Sequence, residues 1–280
     1  MTEWSSVMSE EEAAGYENQY GLKERHQKFL EIMVRFDSFC RKNGIHYSLS
    51  DGTLIGAVRH QGFIPWDDDA DLLITRDEYN KLRERIRDEK EILLFRIGVL
   101  DRITIPEMLD EHVYVDLFIL DEVPSFRLKF HLLKAKCGFY RCYFLNIYQL
   151  GNSAHQGGAR KIIEPILYRL ARIQVGKRDV FDLYDSLFSR PVRHDSMTKF
   201  TAFIDDMRLR FPKRLFEEAG YTDTMFNGRK LMIIKDTDTV LREMYGDYLS
   251  LPPEDRRKPE HCIDMMNAPT DCIRWYNKAQ

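Results

Sequence analysis

Asp67-Asp68-Asp69-Ala70-Asp71 places four carboxylates in five residues, between Phe63-Ile64-Pro65-Trp66 on one side and Leu72-Leu73-Ile74 on the other. Acid runs are ordinarily solvated loop, but this one has apolar walls that tie it to a core. In an extended chain, alternation sets Asp69 and Asp71 on one face and Ala70 and Leu72 on the opposite, core-facing side. Like charges held this way repel by about a few kcal/mol at an intermediate dielectric unless a cation neutralises them. The chemistry expected of the stretch is therefore divalent metal binding. Two other segments carry groups of the same kind. Val113 to Leu120 reads as a buried strand with a single carboxylate, Asp116, which is costly there unless paired or bound to metal. Asp51-Gly52-Thr53 follows a strand-like run and precedes a helix-like one. Free backbone N–H groups and the positive end of a helix would then gather at a spot suited to phosphate. An ordinary tight turn is the plain alternative for Gly52-Thr53.

Three readings compete for the acidic cluster. Asp67, Asp69, Asp71 and Glu78 fall at positions 1, 3, 5 and 12 of a calcium-loop template, but Leu72 stands where its sharp turn requires glycine. Asp69-Ala70-Asp71 is also the short Asp-x-Asp of metal-dependent glycosyltransferases. The third reading uses more of the chain: a Gly-Thr turn at a helix start, Asp69 and Asp71 on the next strand, and Asp116 on a later one. This layout resembles the nucleotidyltransferase-fold superfamily. Within it, the run from Asp51 to Asp71 resembles the signature of the LicD family, which includes bacterial phosphocholine transferases and, more distantly, fukutin-related ribitol-phosphate transferases. Tyr114-Val115-Asp116-Leu117-Phe118 resembles that family's second acidic motif. Tyr245-Gly246-Asp247-Tyr248 with Leu251-Pro252-Pro253 resembles its C-terminal block. The likeness covers about 22–124 and 226–253, with Ala70 and Leu72 standing where Ile is common.

The resemblance implies transfer of a phospho-alcohol, typically phosphocholine from CDP-choline, to a hydroxyl of a glycan such as a teichoic-acid or lipopolysaccharide precursor, with release of CMP. Asp69, Asp71 and Asp116 would hold one or two Mg²⁺ (or Mn²⁺) ions, whose role is to offset charge on the attacking and leaving oxygens. Gly52 and Thr53 would donate hydrogen bonds to phosphate, with Arg59 or His60 adding positive charge. For His60 a surface position at a helix end is the alternative. Asp67, at the mouth of the cluster, is the candidate for a metal-linked or base role, and Asp68 falls to structure or solvent. Trp66 reads as an aromatic plug beneath the loop, with stacking on a base or on choline as the alternative. Tyr245 and Tyr248 read as packing residues. A nucleotidyltransferase that attaches the nucleotide itself, an Asp-x-Asp glycosyltransferase and a noncatalytic metal-binding domain remain as other outcomes.

The elements that must position these groups are legible in the periodicity. Phe29, Ile32, Met33, Phe36, Phe39 and Cys40 recur at helical spacing, and Gly44 stops the helix. Ile45, Tyr47 and Leu49 alternate as a strand, and Leu54 to His60 reads as a short helix. Thr75 with Glu78 fits a capping box for a helix through Tyr79, Leu82 and Ile86. Ile92 to Ile97 is a further strand. Phe226-Asn227-Gly228-Arg229 is a turn before a strand over Leu231 to Ile234, and Thr237 to Tyr245 makes a helix ended by Gly246. The first 21 residues read as a mobile arm or short surface helix, and helical patterns run from Asp179 to Phe188 and from Ser196 to Arg210. The fold class expected is α/β (α+β): a nucleotidyltransferase-like mixed sheet flanked by helices. It divides into a core over 22–124, a basic helical insertion over 125–210 and a C-terminal part over 211–280 that packs back on the core.

Composition narrows the setting. The 280 residues carry 44% hydrophobic side chains and a formal net charge of −3, which suits a globular enzyme and supplies no overall attraction to nucleic acid. From Ser125 to Lys177, however, cations accumulate against Glu164 alone and alternate with Phe, Tyr and Leu. That segment reads as a solvated helix face, a polyanion-binding surface or a contact with anionic lipid. Five cysteines without a C-x-x-C pair read as buried thiols, with a metal site at His261, Cys262 and Cys272 as the minor alternative. No apolar run reaches the length of a spanning helix, and the N-terminal residues lack a signal-peptide pattern. The location expected is cytoplasmic, with peripheral contact at the inner membrane face.

Overall fold

The structure is a computed structural model that describes residues 8–97, 100–124, 126–147, 180–188, 199–202, 211–259 and 273–277, together with the helical positions 166, 169, 170 and 173. In chain order the helices are α1 (Glu10–Tyr20), α2 (Leu22–Asn43), α3 (Asp51–Arg59), α4 (Arg76–Arg85), α5 (Arg127–Ile147), α6 (Val180–Ser186) and α7 (Thr237–Tyr245). The strands are β1 (Ser48–Leu49), β2 (Asp71–Thr75), β3 (Leu93–Ile97), β4 (Leu100–Thr104), β5 (Val115–Val123), β6 (Lys199–Ala202), β7 (Phe211–Pro212), β8 (Tyr221–Phe226), β9 (Arg229–Ile234) and β10 (Ile273–Trp275). The α/β mixed sheet expected from the sequence is present.

The main sheet runs β1-β2-β5-β4-β3-β10, with β5 at its branch point. β2 and β5 are parallel, whereas β4 lies antiparallel along the first part of β5 and β6 antiparallel along its last part. A parallel pair needs a long crossover, and here it contains α4, β3 and β4. Every residue of β2 is buried. That burial explains why Leu72 and Leu73 are both apolar although they point to opposite faces. The apolar face of α2 puts Phe29, Ile32, Met33 and Phe36 wholly inside, and Gly44 ends the helix in the left-handed conformation with φ 62°.

Several expected elements have different bounds or character. Of the two expectations for the N-terminal region, Glu10–Tyr20 meets the short helix, and it is capped: the Ser9 side chain accepts from the Glu12 backbone N–H while Glu12 reaches back to Ser9. The Thr75 box is only half made, because Glu78 instead accepts from the His46 N–H at 3.0 Å and from Lys81. Within the span expected to be helical from Ser196 to Arg210, residues 199–202 are a strand. Phe200 and Thr201 favour extended backbone, and the far half of β5 offers them an edge. The Gly151 to Gly158 break and the His261, Cys262 and Cys272 cluster lie outside the described residues.

Strand β4 was not foreseen, because its Asp101 and Arg102 break the apolar pattern. Both are buried, and each is neutralised across the sheet. Arg96 on β3 grips Asp101 at 2.7 and 2.9 Å, with the Tyr79 hydroxyl donating to the same carboxylate at 2.8 Å. Arg102 donates to Asp116 on β5 at 2.8 Å. Pairing in register makes burial of such charges tolerable.

Candidate active site

The loop from Gln61 to Ala70 is held from three directions, and this fixes where its aspartates stand. His26 on α2 contacts the Asp67 carbonyl at 2.7 Å and stacks on Phe63, while Arg25 donates to the Asp68 carbonyl at 2.8 Å. The turn between β8 and β9 presses on the other side. Asn227 and Gly228 both have positive φ, as a tight hairpin with right-handed strands requires. The Asn227 side chain accepts from the Phe63 N–H at 3.0 Å, and its own N–H donates to the Gln61 carbonyl at 2.8 Å. Gly56 and Gly62 permit the close approach: a Cβ on Gly56 would lie 2.4 Å from the Gly62 carbonyl oxygen.

Beyond the loop, β2 and β5 deliver two carboxylates side by side. Asp71 and Asp116 are direct partners in the parallel register, and the Asp116 N–H donates to the Ala70 carbonyl at 2.9 Å. Together with Asp67 and Asp69 they line one cavity of about 390 Å³. Asp51, at the start of α3, is a fifth carboxylate on its wall. Its φ of 44° lies in the left-handed region, which Asp tolerates better than most residues. Ser50 and Tyr245 donate to its two oxygens at 2.7 and 2.9 Å. The Asp71 carboxyl is held well above the usual range, first by its burial and then by Asp69, Asp51, Asp116 and Asp67. A cation in the cavity would remove both penalties.

The sequence-expected residues separate into two groups. Asp67, Asp69, Asp71, Asp116 and Gly52 line the cavity. Helix α3 starts three residues earlier than the Leu54 expected, which puts Gly52 in its first turn. There a Cβ would sit 2.4 Å from an Asp67 carboxylate oxygen, so glycine lets the helix start and that carboxylate share one wall. Thr53 is buried instead, and its hydroxyl accepts the Asp71 N–H at 2.9 Å, which locks β2 to α3. Arg59 and His60 also stand away from the cavity lining. Arg59 is buried and donates to the Tyr248 and Ser250 carbonyls at 3.0 and 3.2 Å and to His60 Nε2 at 3.0 Å. Burial pushes the Arg59 guanidinium down to about 10 and the His60 imidazole to about 4. His60 is therefore a neutral acceptor at physiological pH. Asp68 is buried rather than solvated.

Other lining residues were not expected to face a site. Arg256 and Lys258 bring positive charge to the cavity from the tail that the sequence marked only as irregular after Pro252-Pro253. Tyr245, 47% exposed, reaches Asp51 instead of packing, and Phe118 follows Asp116 two positions along β5 on the same face. Trp66 is buried against Tyr16 with ring centroids 5.2 Å apart, in keeping with the plug reading, and also contributes to the lining. The adjacent cations could have suggested an anion site, but nothing in their spacing ties them to Asp51 or Asp71.

Among the described residues, no three carboxylates, imidazoles or thiols stand within joint reach of one ion. The donor set is nevertheless all oxygen, which suits Mg²⁺. That ion is commonly held by one or two carboxylates while waters and substrate phosphates complete its shell. In this geometry one or two of Asp69, Asp71 and Asp116 would hold it, not the three together, and Arg102 fixes one oxygen of Asp116.

Comparison with known proteins agrees with this layout. Residues 44–136 match a family model described as LicD/FKTN/FKRP, nucleotidyltransferase domain. The chain is 28% identical over 261 residues to "Lipopolysaccharide cholinephosphotransferase LicD" of Haemophilus influenzae, an alignment covering 86% of this chain and 96% of that protein. It is also 28% identical over 105 residues to an uncharacterized protein of Rickettsia prowazekii, across 34% of this chain and 40% of the relative. A Rickettsia typhi protein, also uncharacterized, is 30% identical over 117 residues, 38% of this chain and 37% of its own. The span of the family match contains α3, the acidic loop and both acidic strands.

Proposed function

We propose that this protein moves a phospho-alcohol, phosphocholine or a close analogue, from a CDP-activated donor to a hydroxyl of a cell-surface glycan precursor. The observation that carries the reading is the convergence of Asp67, Asp69, Asp71 and Asp116 on one cavity that also takes in the first turn of α3 and two cations, Arg256 and Lys258. Similarity over most of the chain to a lipopolysaccharide cholinephosphotransferase supports the choice of group and of acceptor class.

In this reaction the acceptor oxygen bonds to the phosphorus that bears the alcohol, and the bond from that phosphorus to the bridging oxygen breaks. The electron pair leaves with CMP. The acceptor's proton passes to a carboxylate, and we assign this role to Asp67, which is half-buried at the cavity wall, its backbone carbonyl held by His26 and its carboxylate beside Gly52. A bound Mg²⁺ would supply charge neutralisation for the diphosphate. The chain's own part is positioning and electrostatics, on which phosphoryl transfer mainly depends. The backbone at Gly52, in the first turn of α3, and the side chains of Arg256 and Lys258 line the cavity and would bind the phosphates.

The test is CMP release from CDP-choline with Mg²⁺ and a lipopolysaccharide or teichoic-acid precursor, with phosphocholine followed on the glycan. Asp71→Asn and Asp116→Asn should each lower turnover at least about a thousandfold while far-UV circular dichroism is unchanged. Excess chelator should do the same. Full activity in either variant, or the CMP moiety rather than phosphocholine on the acceptor, would overturn the assignment.

A further inference from the structure

Helix α5 displays side chains that the core does not account for. Its 21 residues contain five Lys or Arg and no Asp or Glu, in a chain whose formal charge is −3. Phe130, Cys137 and Tyr140 are buried and define the face turned toward the protein. By the usual rule the opposite face should be polar. Instead Leu128 and Leu132, one turn apart, are 61% and 56% exposed, and Phe126 just before the helix is 63% exposed. With 3.6 residues per turn, Leu128, Leu132, Ala135 and Phe139 fall in one outward stripe. Arg127 and Lys134 border it on one side, Lys129 and Lys136 on the other.

Three kinds of partner could meet such a face, and two of them match it poorly. A hydrated polyanionic glycan would satisfy the cations but bury none of the exposed apolar side chains. An apolar groove on another protein would leave the cations unmatched. An anionic bilayer offers phosphates at the level of the flanking cations and acyl chains beneath the stripe. Among the described residues no helix is long and apolar enough to cross a membrane, so α5 would lie on the surface rather than span it. A second stretch has the same character: the helical residues Ile166, Leu170 and Ile173 are 53%, 52% and 79% exposed, with exposed Arg169 among them. The geometry points to α5 as an interfacial helix on an anionic membrane, with Leu128 and Leu132 among the acyl chains and the cations at the headgroups. This inference does not depend on the transfer reaction proposed above.

The experiment is flotation of the full chain with vesicles of phosphatidylcholine alone and of phosphatidylcholine mixed with phosphatidylglycerol. Binding should be confined to the mixed vesicles and weaken in high salt. Leu128→Glu with Leu132→Glu should lower the affinity at least about tenfold, as should Lys129→Glu with Lys136→Glu. Both pairs are on the surface, so their thermal midpoints should match the parent. Leu128→Trp adds a direct readout, since its emission should shift to the blue on mixed vesicles. The proposal is overturned by equal binding to neutral vesicles, by no binding to either kind, or by an unshifted emission. Loss of binding in the charge pair but not in the leucine pair would equally overturn it, since that pattern belongs to a soluble polyanion.

Discussion

Protonating His60 would set an imidazolium against the Arg59 guanidinium that now donates to its Nε2 at 3.0 Å, and would do so in a largely buried position. Desolvation first, and then Arg59, bring its pKa down from 6.5 to about 4. The direction of the pH effect follows. Between those values the unfolded chain binds a proton that the folded chain does not, so stability is whole above pH 6.5 and declines as pH falls toward 4. After allowance for partial exposure the loss should be about 1 to 2 kcal/mol. Urea unfolding at neutral pH and near the lower end of that window would measure it. His60→Gln, which keeps an acceptor for Arg59 and cannot titrate, should flatten the profile by that amount. An unchanged slope would mean that other groups set the acid limb.

At the scale of elements, the acidic motifs could be read from sequence because their neighbours are apolar. Asp116 stands in a run of Val, Leu, Phe and Ile, so its strand was visible, although the residue itself is only half-buried; its partnership with Asp71 depends on parallel register, which no local pattern encodes. β4 was hidden by the same chemistry that stabilises it, since Asp101 and Arg102 look like solvent residues until Arg96 and Asp116 are set opposite them. The buried role of Thr53 was hidden for a related reason: a hydroxyl can serve a phosphate or a backbone N–H, and only the fold decides. The β8–β9 hairpin announced itself through Asn227-Gly228, but not its function as a brace for the acidic loop. Asn227→Ala would leave the Phe63 N–H without its acceptor and put at φ 44° a residue that tolerates the left-handed region less well than asparagine. It should cost about 1 to 3 kcal/mol by chemical denaturation. Activity should fall before unfolding begins, because the loop that carries Asp67 loses one of its supports. A stability loss with full activity would show that His26 and Arg25 hold the loop without help.

Across the whole molecule, the cavity is closed by segments some two hundred residues apart in sequence, and the last of them is attached by its backbone. Arg59 takes the carbonyls of Tyr248 and Ser250, and the Tyr20 hydroxyl donates to the Arg257 carbonyl at 3.1 Å. The Arg257 side chain returns to the Pro252 carbonyl at 2.8 Å and lies over Trp66. Arg256 and Lys258, the neighbours of the anchored Arg257, line the same cavity as Asp69 and Asp71. A site lined by both anions and cations suits a metal-bound diphosphate better than a metal alone. Both cations are exposed at the rim, so their contribution should be to donor binding rather than to the chemical step. Arg256→Ala and Lys258→Ala should each raise KM for CDP-choline by about three- to tenfold with kcat within about twofold, and the penalty should shrink as salt is added. Their unfolding midpoints should equal the parent's. Arg257→Ala, which removes the anchor, should instead raise KM and lower stability together. Steady-state kinetics at two ionic strengths separates the cases: an unchanged KM in both rim variants would leave the helix start and the metal to hold the donor, whereas a fall in kcat alone would assign these cations to the transition state.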